Sequence, residues 1–574
     1  MKDICLTDEN AKQFQRSRNV GRNAIYGLLN RCISLLLPFI VRTILIYRFG
    51  ALYLGMNSLL SSIFQVLNLA ELGFGTAVVY SLYKPVAEGD TDTVCAYLCT
   101  YRKIYRIIGL TILVAGLAVM PFFPYLLKGS VVPGDMNLFA WYLIFLADTV
   151  ASYLLYGYKT AIPSALQRND LLSKIDVEVL IYKFVVQLGC LLLSDNFYYY
   201  LLTSFLFTVL RNILVSHLVE QRYPRYVCRG SITQEQLAEL KLLVGGLALS
   251  KFRGASRHMI DNICIAAFIS LTMTAIYSNY FLIHSAVLSF SGILGGAMIA
   301  SVGNSIATES RDKNYRDMRR FNFIFMLLAG WVAICLLCLY QPFVRLWVGS
   351  ELMLGLPEVV ALCLYFYVLE MGVMRWIYHQ GSGLWWKARH IVIAEILCNI
   401  VLNILMAKYW GVLGIIVATL ISLFFINFIG GAWILFKEYF QNGKLGEFFL
   451  DQGLYFGVTC VLAVLCFYGC DSISAWFSEV AGIALGSAVN GAAWGGMESA
   501  VNGAKVAVVA DADGAVGALA GAGQAKLVGL ADLVIRSVLC TVVTIAGYFL
   551  AYHRSVRYKD AKEWVQLRFR AMKK

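Results

Sequence analysis

The sequence predicts an all-α integral membrane protein, and both its composition and the length of its apolar stretches lead to this class. Hydrophobic residues make up 59% of the 574 residues and charged residues only 14%, whereas soluble domains are usually about one-quarter charged. Apolar stretches of roughly 20 residues, the length of a helix that crosses a hydrocarbon core, recur from end to end. Membrane β-barrel strands are shorter and alternate in polarity, so we expect helices throughout.

The apolar stretches predict about fourteen transmembrane helices. They fall at residues 23–47, 51–80, 104–127, 137–158, 175–195, 198–218, 243–270, 274–304, 321–345, 357–380, 390–409, 411–436, 453–470 and 529–552.

Basic residues gather in alternate loops, and this pattern predicts the orientation of the chain. The groups are Lys159, Arg168 and Lys174; Arg222, Arg225 and Arg229; Arg311, Lys313, Arg316, Arg319 and Arg320; and eight cations after residue 553. Lys and Arg accumulate in cytoplasmic loops, so we expect both termini in the cytoplasm. The net charge of +13 is explained by this topology and does not indicate binding to nucleic acid.

A Gly/Ala-rich segment, residues 486–526, interrupts the pattern between the last two spans. It has few bulky apolar residues, and its composition predicts a flexible loop on the outer side of the membrane. The stretch "GAVGALAGAG" resembles a phosphate-binding loop but lacks the lysine and Ser/Thr of that motif. We therefore expect no nucleotide site there.

The stretch "LSKFRGASRHMIDN", residues 249–262, places charges inside a predicted span. At 100° per residue, Lys251, Arg253, Arg257 and Asp261 lie on one half of the helix surface. A lipid-exposed charge at the membrane centre costs about 2.5 to 3.5 kcal/mol on insertion scales, so this half is expected to face a watery cavity. Arg257 and Asp261 can pair at four-residue spacing. The alternative for Lys251 is that it snorkels to the interface.

The first span also carries cations that share a face, Arg31 and Arg42. A cavity lined by arginines suits an anion such as phosphate or pyrophosphate, which a guanidinium binds through two parallel hydrogen bonds. A substrate with a lipid tail could leave that tail in the bilayer and pass only its head through the cavity. Arg31, Arg42, Lys251, Arg253 and Arg257 are therefore the predicted substrate-binding residues.

Acidic residues inside the spans are the predicted coupling or charge-pairing groups, since an ionisable side chain in a membrane is usually functional or paired. Asp261, Glu71 and Glu370 are the three that we single out. The fifteen cysteines lie mostly in apolar segments, where free Cys behaves as a small hydrophobe. The pair in "AICLLC", residues 333–338, does not supply the four ligands of a structural zinc site, and neither a metal nor a cofactor is expected.

Three stretches resemble a known family: "FGALYLGMNSLLSSIFQVLNLAELGFGTAVVYSLYKP" (49–85), "IYSNYFLIHSAV" (276–287) and "GVLGIIVATLIS" (411–422). They are similar to the Wzx-like oligosaccharide flippases of bacterial polysaccharide biosynthesis, within the multidrug/oligosaccharidyl-lipid/polysaccharide superfamily. The similarity runs over most of residues 15–470 and the final span. Its signatures are diffuse and include no catalytic motif.

The resemblance implies two six-helix bundles around a central cationic cavity, plus two C-terminal helices. The expected organisation is a cytoplasmic N-tail (1–22), a first bundle (23–218), a cytoplasmic linker (219–242), a second bundle (243–436), two last helices (453–552) and a basic cytoplasmic tail (553–574). Such proteins carry functional cations in early spans and in the seventh, which correspond here by position and character to Arg31, Arg42, Arg253 and Arg257.

The activity implied is transport of undecaprenyl-pyrophosphate-linked glycans across the bacterial cytoplasmic membrane by alternating access. The partners would be this lipid-linked oligosaccharide, membrane lipids and a proton or sodium ion as coupling ion. A drug/cation antiporter of the same superfamily is the alternative, although its cavity would favour carboxylates over arginines. A membrane glycan polymerase would need catalytic groups on an ordered outer loop, and the loop at 486–526 has neither histidine nor arginine. The protein is therefore expected not to be an enzyme.

The predicted topology can be tested with single cysteines introduced at the two ends of the chain in a cysteine-free background. We expect both to react with a thiol reagent only after the membrane is made permeable, because the basic loops are retained in the cytoplasm. Labelling of a C-terminal cysteine in intact cells would reverse the assignment.

Overall fold

A computed structural model describes residues 26–27, 29–71, 73–127, 131–384, 386–495 and 510–572. Within these residues the regular structure is helical and includes no β-strand. The helices are α1 Leu29–Phe49, α2 Ala51–Leu67, α3 Phe74–Glu88, α4 Thr91–Val119, α5 Phe123–Leu126, α6 Leu138–Leu154, α7 Ala161–Ala165, α8 Asn169–Leu193, α9 Phe197–Arg222, α10 Gln234–Phe268, α11 Leu271–Thr308, α12 Arg311–Val348, α13 Leu356–Met371, α14 Val373–Gly381, α15 Arg389–Ile421, α16 Gly430–Leu435, α17 Leu445–Gly495, α18 Ala510–Tyr552 and α19 Val556–Met572.

The protein is an all-α membrane protein, as the sequence predicts, and each of the fourteen predicted spans overlaps a helix of the described residues. Nine helices in the described part are long and apolar enough to cross a membrane. A tenth is obtained if α6 and the segment Gly157–Ala165, which are bent by 53°, are counted as one broken span. The other predicted spans lie on short helices, on α8 and α10 with their charged residues, or on part of a longer helix.

Breaks in two helices occur where glycine allows a backbone conformation that other residues rarely adopt. Gly411 interrupts the continuous helical segment Arg389–Phe440 with φ 57° and ψ −134°, and it lies at the predicted boundary between spans 390–409 and 411–436. Gly73, with φ 93°, follows a short 3-10 turn at Asn68–Glu71 that separates α2 from α3. The second predicted span, 51–80, therefore contains two helices, α2 and the first part of α3.

The chain forms two compact units. Unit 1 comprises residues 1–282 and 392–419, and unit 2 comprises residues 283–391 and 420–574. In unit 1, α10 packs on α2 and α3, and α9 packs on α6 and α8. In unit 2, α12 packs on α13, α17, α18 and α19. The six-helix bundles at 23–218 and 243–436 stay a prediction.

Small residues on one face of α2 allow close approach of other helices in unit 1. A Cβ atom on Gly55 would lie 2.0 Å from the carbonyl oxygen of Leu271, the first residue of α11. One and two turns further along α2, Ser58 hydrogen-bonds Ser278 of α11 at 3.1 Å and Ser62 accepts from Asn262 of α10 at 3.0 Å. Small and hydroxylated residues are the usual means of close packing between membrane helices.

Ion pairs attach the C-terminal helix to the rest of unit 2. Arg320 of α12 donates to Asp560 of α19, with Nε 2.7 Å from Oδ2. Asp451 of α17 accepts from both Arg319 and Arg557. The basic tail that the sequence places after residue 553 is thus a helix, Val556–Met572, that packs on α12.

The Gly/Ala-rich segment differs from the flexible loop that the sequence predicts. The backbone is helical at 486–495, where α17 continues, and at 510–526, within α18. The physical reason is that alanine has the highest intrinsic helix propensity of all residues, so an Ala-rich stretch can extend an existing helix without packing. Residues 496–509 lie outside the described part of the chain.

The close approach at Gly55 leads to a stability prediction. Gly55→Ala should lower the thermal unfolding midpoint of the purified protein by several degrees, because overpacking a tight contact costs about 1 to 3 kcal/mol. Gly189→Ala is the matched control, since a Cβ there meets nothing within 4 Å and alanine favours the helix by up to about 1 kcal/mol. Equal midpoints for the two variants would contradict the close contact between α2 and α11.

Candidate functional site

A buried polar cluster in unit 1 is formed by side chains of α1, α2, α10, α11 and α15. On α15, Glu395, Asn399 and Asn403 follow one another at four-residue spacing and are all buried. This spacing places them on one face of the helix. They are polar residues in an otherwise apolar helix, so their burial requires partners on neighbouring helices.

Arg257 of α10 forms an ion pair with Glu395 of α15 at the centre of this cluster. The Nε atom donates to Oε1 at 2.7 Å, and Nη2 donates to the same oxygen. Both side chains are almost completely shielded from solvent, with relative exposures of 10% and 2%. A buried ion cannot remain unpaired without a free-energy cost of several kcal/mol, so the pair fixes α10 against α15.

Asp261, one turn beyond Arg257 on α10, is held by three neutral donors. Asn403 Nδ2 lies 2.8 Å from Oδ1, Thr419 Oγ1 lies 3.1 Å from Oδ1, and Tyr277 OH lies 3.2 Å from Oδ2. The sequence suggested that Arg257 and Asp261 pair with each other. The structure gives Arg257 a different acidic partner, Glu395, and surrounds Asp261 with an amide and two hydroxyl groups.

Arg42 of α1 projects toward α11, where its guanidinium meets neutral groups. Its Nη1 atom donates to Ser278 Oγ at 3.0 Å and to Asn279 Oδ1 at 3.1 Å. Among the described residues no carboxylate forms an ion pair with Arg42. Its charge is therefore not compensated in the way that Glu395 compensates the charge of Arg257.

Amide atoms of the cluster retain unused hydrogen-bonding capacity. Asn279 Nδ2, Asn262 Oδ1 and Asn403 Oδ1 are buried and have no hydrogen-bond partner among the described residues. Most buried polar atoms in proteins are paired, so each exception calls for an explanation. Asn279 is the most informative, because its spare N–H group is on the same amide that accepts from Arg42.

Glu71 lies in a second polar region of unit 1, a tyrosine-lined cavity of about 590 Å³. Tyr105 OH donates to Oε1, and Tyr153 OH donates to Oε2 at 3.0 Å. Tyr101 donates in turn to Tyr105 at 2.7 Å. Hydroxyl and amide side chains complete the lining, together with two exposed rings: Thr76, Tyr80, Tyr83, Thr160, Ser164 and Asn169.

Unit 2 contains its own buried polar groups on α13 and α14. Glu370 accepts from Ser291 Oγ at 2.5 Å and is buried. Arg375 donates to Asn427 Oδ1 at 2.6 Å, close to Gly431. In both contacts the partner is a neutral side chain, a hydroxyl group for Glu370 and an amide group for Arg375.

The structure brings together some of the predicted site residues and separates others. Arg42, Arg257 and Asp261 contribute to the buried cluster, whereas Arg31 is exposed on α1. Glu71 and Glu370 lie in the separate surroundings just described. The side chains of Lys251 and Arg253 fall outside the described residues, so their predicted roles stay predictions.

Sequence reasoning missed the residues that pair with the predicted charges. Ser278, Asn279, Glu395, Asn403 and Thr419 are not among the predicted site residues. The four-residue spacing of Glu395, Asn399 and Asn403 within "EILCNIVLN" is the sequence pattern that indicates the buried polar face of α15. The Ser278–Asn279 pair is an isolated polar dipeptide, and no periodicity distinguishes it.

Comparison with known proteins gives a fold and no family. No family model matches the chain, and no curated protein matches it. Lipid II flippase MurJ, in an inward closed conformation, matches with a TM-score of 0.59 at 12% identity, over 92% of this chain and 98% of that one. An inward-facing multidrug resistance MATE transporter of the MOP superfamily gives 0.56 at 13%, over 74% and 99%.

A further match is a MOP superfamily transporter from Pyrococcus furiosus Vc1 (DSM3638), with a TM-score of 0.51 at 13% identity, over 75% of this chain and 96% of that one. That transporter is described as having a binding pocket of reverse polarity. The chain is therefore a multi-pass membrane protein with the fold of MOP superfamily transporters, and these structural neighbours are transporters and flippases.

The Arg257–Glu395 pair leads to a prediction that distinguishes the contribution of ion pairing to stability from that of side-chain packing. Glu395→Gln should lower the thermal midpoint strongly, because removing one partner of a buried pair costs about 3 to 5 kcal/mol. Replacing both residues by methionine should recover most of the loss, since well-packed apolar residues can replace a buried pair at little cost. A Glu395→Gln protein that melts like the unaltered one would show that Arg257 does not depend on this carboxylate.

Proposed function

We propose that the chain is a flippase that moves an undecaprenyl-pyrophosphate-linked oligosaccharide, an O-antigen, capsule or exopolysaccharide unit, across the bacterial cytoplasmic membrane by alternating access. Two comparisons support a lipid-linked substrate over a soluble one. The match to the lipid II flippase MurJ extends over 92% of this chain, and that to the MATE transporter over 74%. The resemblance of the sequence to oligosaccharide flippases points in the same direction.

The observation that carries the proposal is the environment of Arg42. A guanidinium with neutral partners attracts an anion, and at a half-buried side chain such as Arg42 this attraction is stronger than in open solution. The unused N–H group of Asn279 adds a neutral donor beside the cation. Together they provide charge and directed hydrogen bonds for a phosphate oxygen.

The tyrosine-lined cavity around Glu71 supports a sugar as the remainder of the head group. Its lining combines aromatic rings with hydroxyl, amide and carboxylate groups. Rings offer flat apolar surface and the polar groups offer hydrogen bonds, which together match the two kinds of surface on a glycan. The cavity would then bind the saccharide and Arg42 the pyrophosphate.

Asp261 is the carboxylate that we propose for coupling to a proton or sodium ion. Its three described donors are neutral, so a cation or a proton could be exchanged without first breaking an ion pair. Glu395 is less suitable, because its charge already balances that of Arg257. This arrangement of acids also keeps the drug/cation antiporter as the alternative, and the sign of the substrate charge distinguishes the two functions.

Arg42→Ala should reduce flipping of a fluorescent polyprenyl-pyrophosphate oligosaccharide in proteoliposomes by at least tenfold. A hydrogen bond to a charged group is worth about 1.5 to 3 kcal/mol, and about 1.4 kcal/mol corresponds to a factor of ten. Arg42→Lys should recover only part of the rate, since lysine keeps the charge but loses the planar donor pair. Asn279→Asp should also abolish flipping, because it places a carboxylate beside Arg42.

Arg48→Ala is the matched control, because Arg48 is on the same helix but in an exposed ion pair with Asp195. Such surface pairs contribute about 0 to 1 kcal/mol, so flipping should be unchanged. Near-normal flipping by Arg42→Ala, with protein amounts equal to the control, would rule out Arg42 as the anion-binding group. Uptake of organic cations that is unaffected by the glycolipid would favour the antiporter.

A further inference from the structure

A group of cysteine side chains converges inside unit 2, away from the polar cluster of unit 1. Cys338 of α12, Cys470 of α17 and Cys540 of α18 are all buried, and their sulfur atoms lie within 4.8 Å of one another. The Cys470 and Cys540 sulfurs are 3.7 Å apart. We call these three residues the thiol cluster.

Two more cysteines lie one helical turn away from members of the thiol cluster. Cys335 precedes Cys338 by three residues and Cys466 precedes Cys470 by four, so each pair lies on one face of its helix. Both additional thiols lie on helices that already contribute a sulfur atom to the thiol cluster. Cys540 is therefore surrounded by thiols from both neighbouring helices.

Simple packing does not explain this convergence well. Free cysteine is a common buried small hydrophobe, but as such it has no preference for other cysteines over alanine or valine. Sulfur atoms bonded to one metal ion at about 2.3 Å lie roughly 3.8 to 4.0 Å apart in trigonal or tetrahedral geometry. The observed spacing is close to this range, so small side-chain rotations would complete a coordination site.

Arg536 borders the thiol cluster, and its charge is already compensated. It lies one turn before Cys540 on α18 and pairs with Asp532 and Asp471, at 2.9 Å and 3.2 Å. Thiolate formation at the cluster therefore depends on the metal ion itself, whose binding releases the thiol protons.

We propose that the thiol cluster binds one soft, thiophilic metal ion of the Cu(I) class. Thiolates select soft ions such as Cu(I) over the harder Mg²⁺, Ca²⁺ and Mn²⁺. A three-sulfur site enclosed by protein suits an ion that accepts low coordination numbers. Each cysteine that coordinates the ion loses its proton to the solvent, and no electron is transferred. The bound ion would join α12 to the two C-terminal helices, α17 and α18.

The test uses the full-length protein, purified in detergent under anaerobic conditions with a reductant and titrated with Cu(I) in the presence of a chromogenic Cu(I) chelator. We expect one equivalent to be withheld from the chelator, with X-ray absorption showing sulfur-only coordination. Bound Cu(I) should also raise the thermal unfolding midpoint, because a ligand that binds only the folded state stabilises it.

Cys540→Ser should weaken Cu(I) binding at least a hundredfold and remove the thermal shift. Cys363→Ser is the matched control: Cys363 is a buried free cysteine of unit 2 on α13, outside the thiol cluster, and binding should be unchanged. If Cys540→Ser does not yield monodisperse protein, the double variant Cys338→Ala with Cys470→Ala provides the same comparison. The X-ray absorption spectrum of the unaltered protein tests for sulfur coordination without any variant.

Three results would overturn the proposal. One is Cu(I) binding that survives both sets of substitutions, and another is preferential binding of Zn²⁺ in direct competition with Cu(I). The third is a Cys470–Cys540 disulfide found by mass spectrometry of protein from native membranes, together with no Cu(I) binding after reduction. The flipping assay is independent of all three, so failure here leaves the proposed transport function intact.

Discussion

The ion pair between Arg257 and Glu395 is the interaction on which the organisation of unit 1 depends. It joins two residues that are 138 positions apart in sequence, and burying either charge without the other would carry a large free-energy cost. Asp261, Asn399, Asn403 and Thr419 extend the same contact surface through neutral hydrogen bonds. This pairing explains why residues 392–419 belong to the compact unit formed by residues 1–282.

Under the proposed function, charge compensation also determines which residues are suited to bind an anion. A guanidinium that is already paired with a carboxylate contributes to stability, and binding an anion would have to compete with that carboxylate. Arg42 has a hydroxyl and an amide as its described partners, so binding an anion requires no such competition. The same reasoning separates Glu395, which is paired, from Asp261, which is held by neutral donors. A transporter needs charged groups whose partners are neutral, because its contacts with substrate and ions must form and break in every cycle.

Unit 2 also contains buried polar side chains, and their partners differ from those in unit 1. Its buried charged side chains Glu370 and Arg375 contact neutral groups, and the ion pair between Arg320 and Asp560 holds α19 against α12. Where α12, α17 and α18 meet, the polarisable groups are thiols. Thiols are compatible with an apolar interior as neutral groups, yet they can become charged ligands when a soft metal ion is present.

The sequence alone determined the class of this protein, because hydrophobic length is a local property that the membrane imposes directly. It also singled out Arg42, Arg257 and Asp261, since a charge within an apolar run is conspicuous without any structure, and their roles in a site stay predictions. It did not predict the helical ends of the Gly/Ala-rich segment. The many glycines of this segment favour a flexible chain, whereas its many alanines favour a helix.

Only the tertiary structure decided the partners of these charges. Pairing Arg257 with Glu395 instead of Asp261, or Arg42 with Ser278 and Asn279, depends on which helices become neighbours, and residues more than a hundred positions apart leave no local pattern. The thiol cluster is the clearest case. Each of the three cysteines is an ordinary apolar residue within its own helix: Cys338, Cys470 and Cys540. The proposed metal site exists only because packing brings the three helices together.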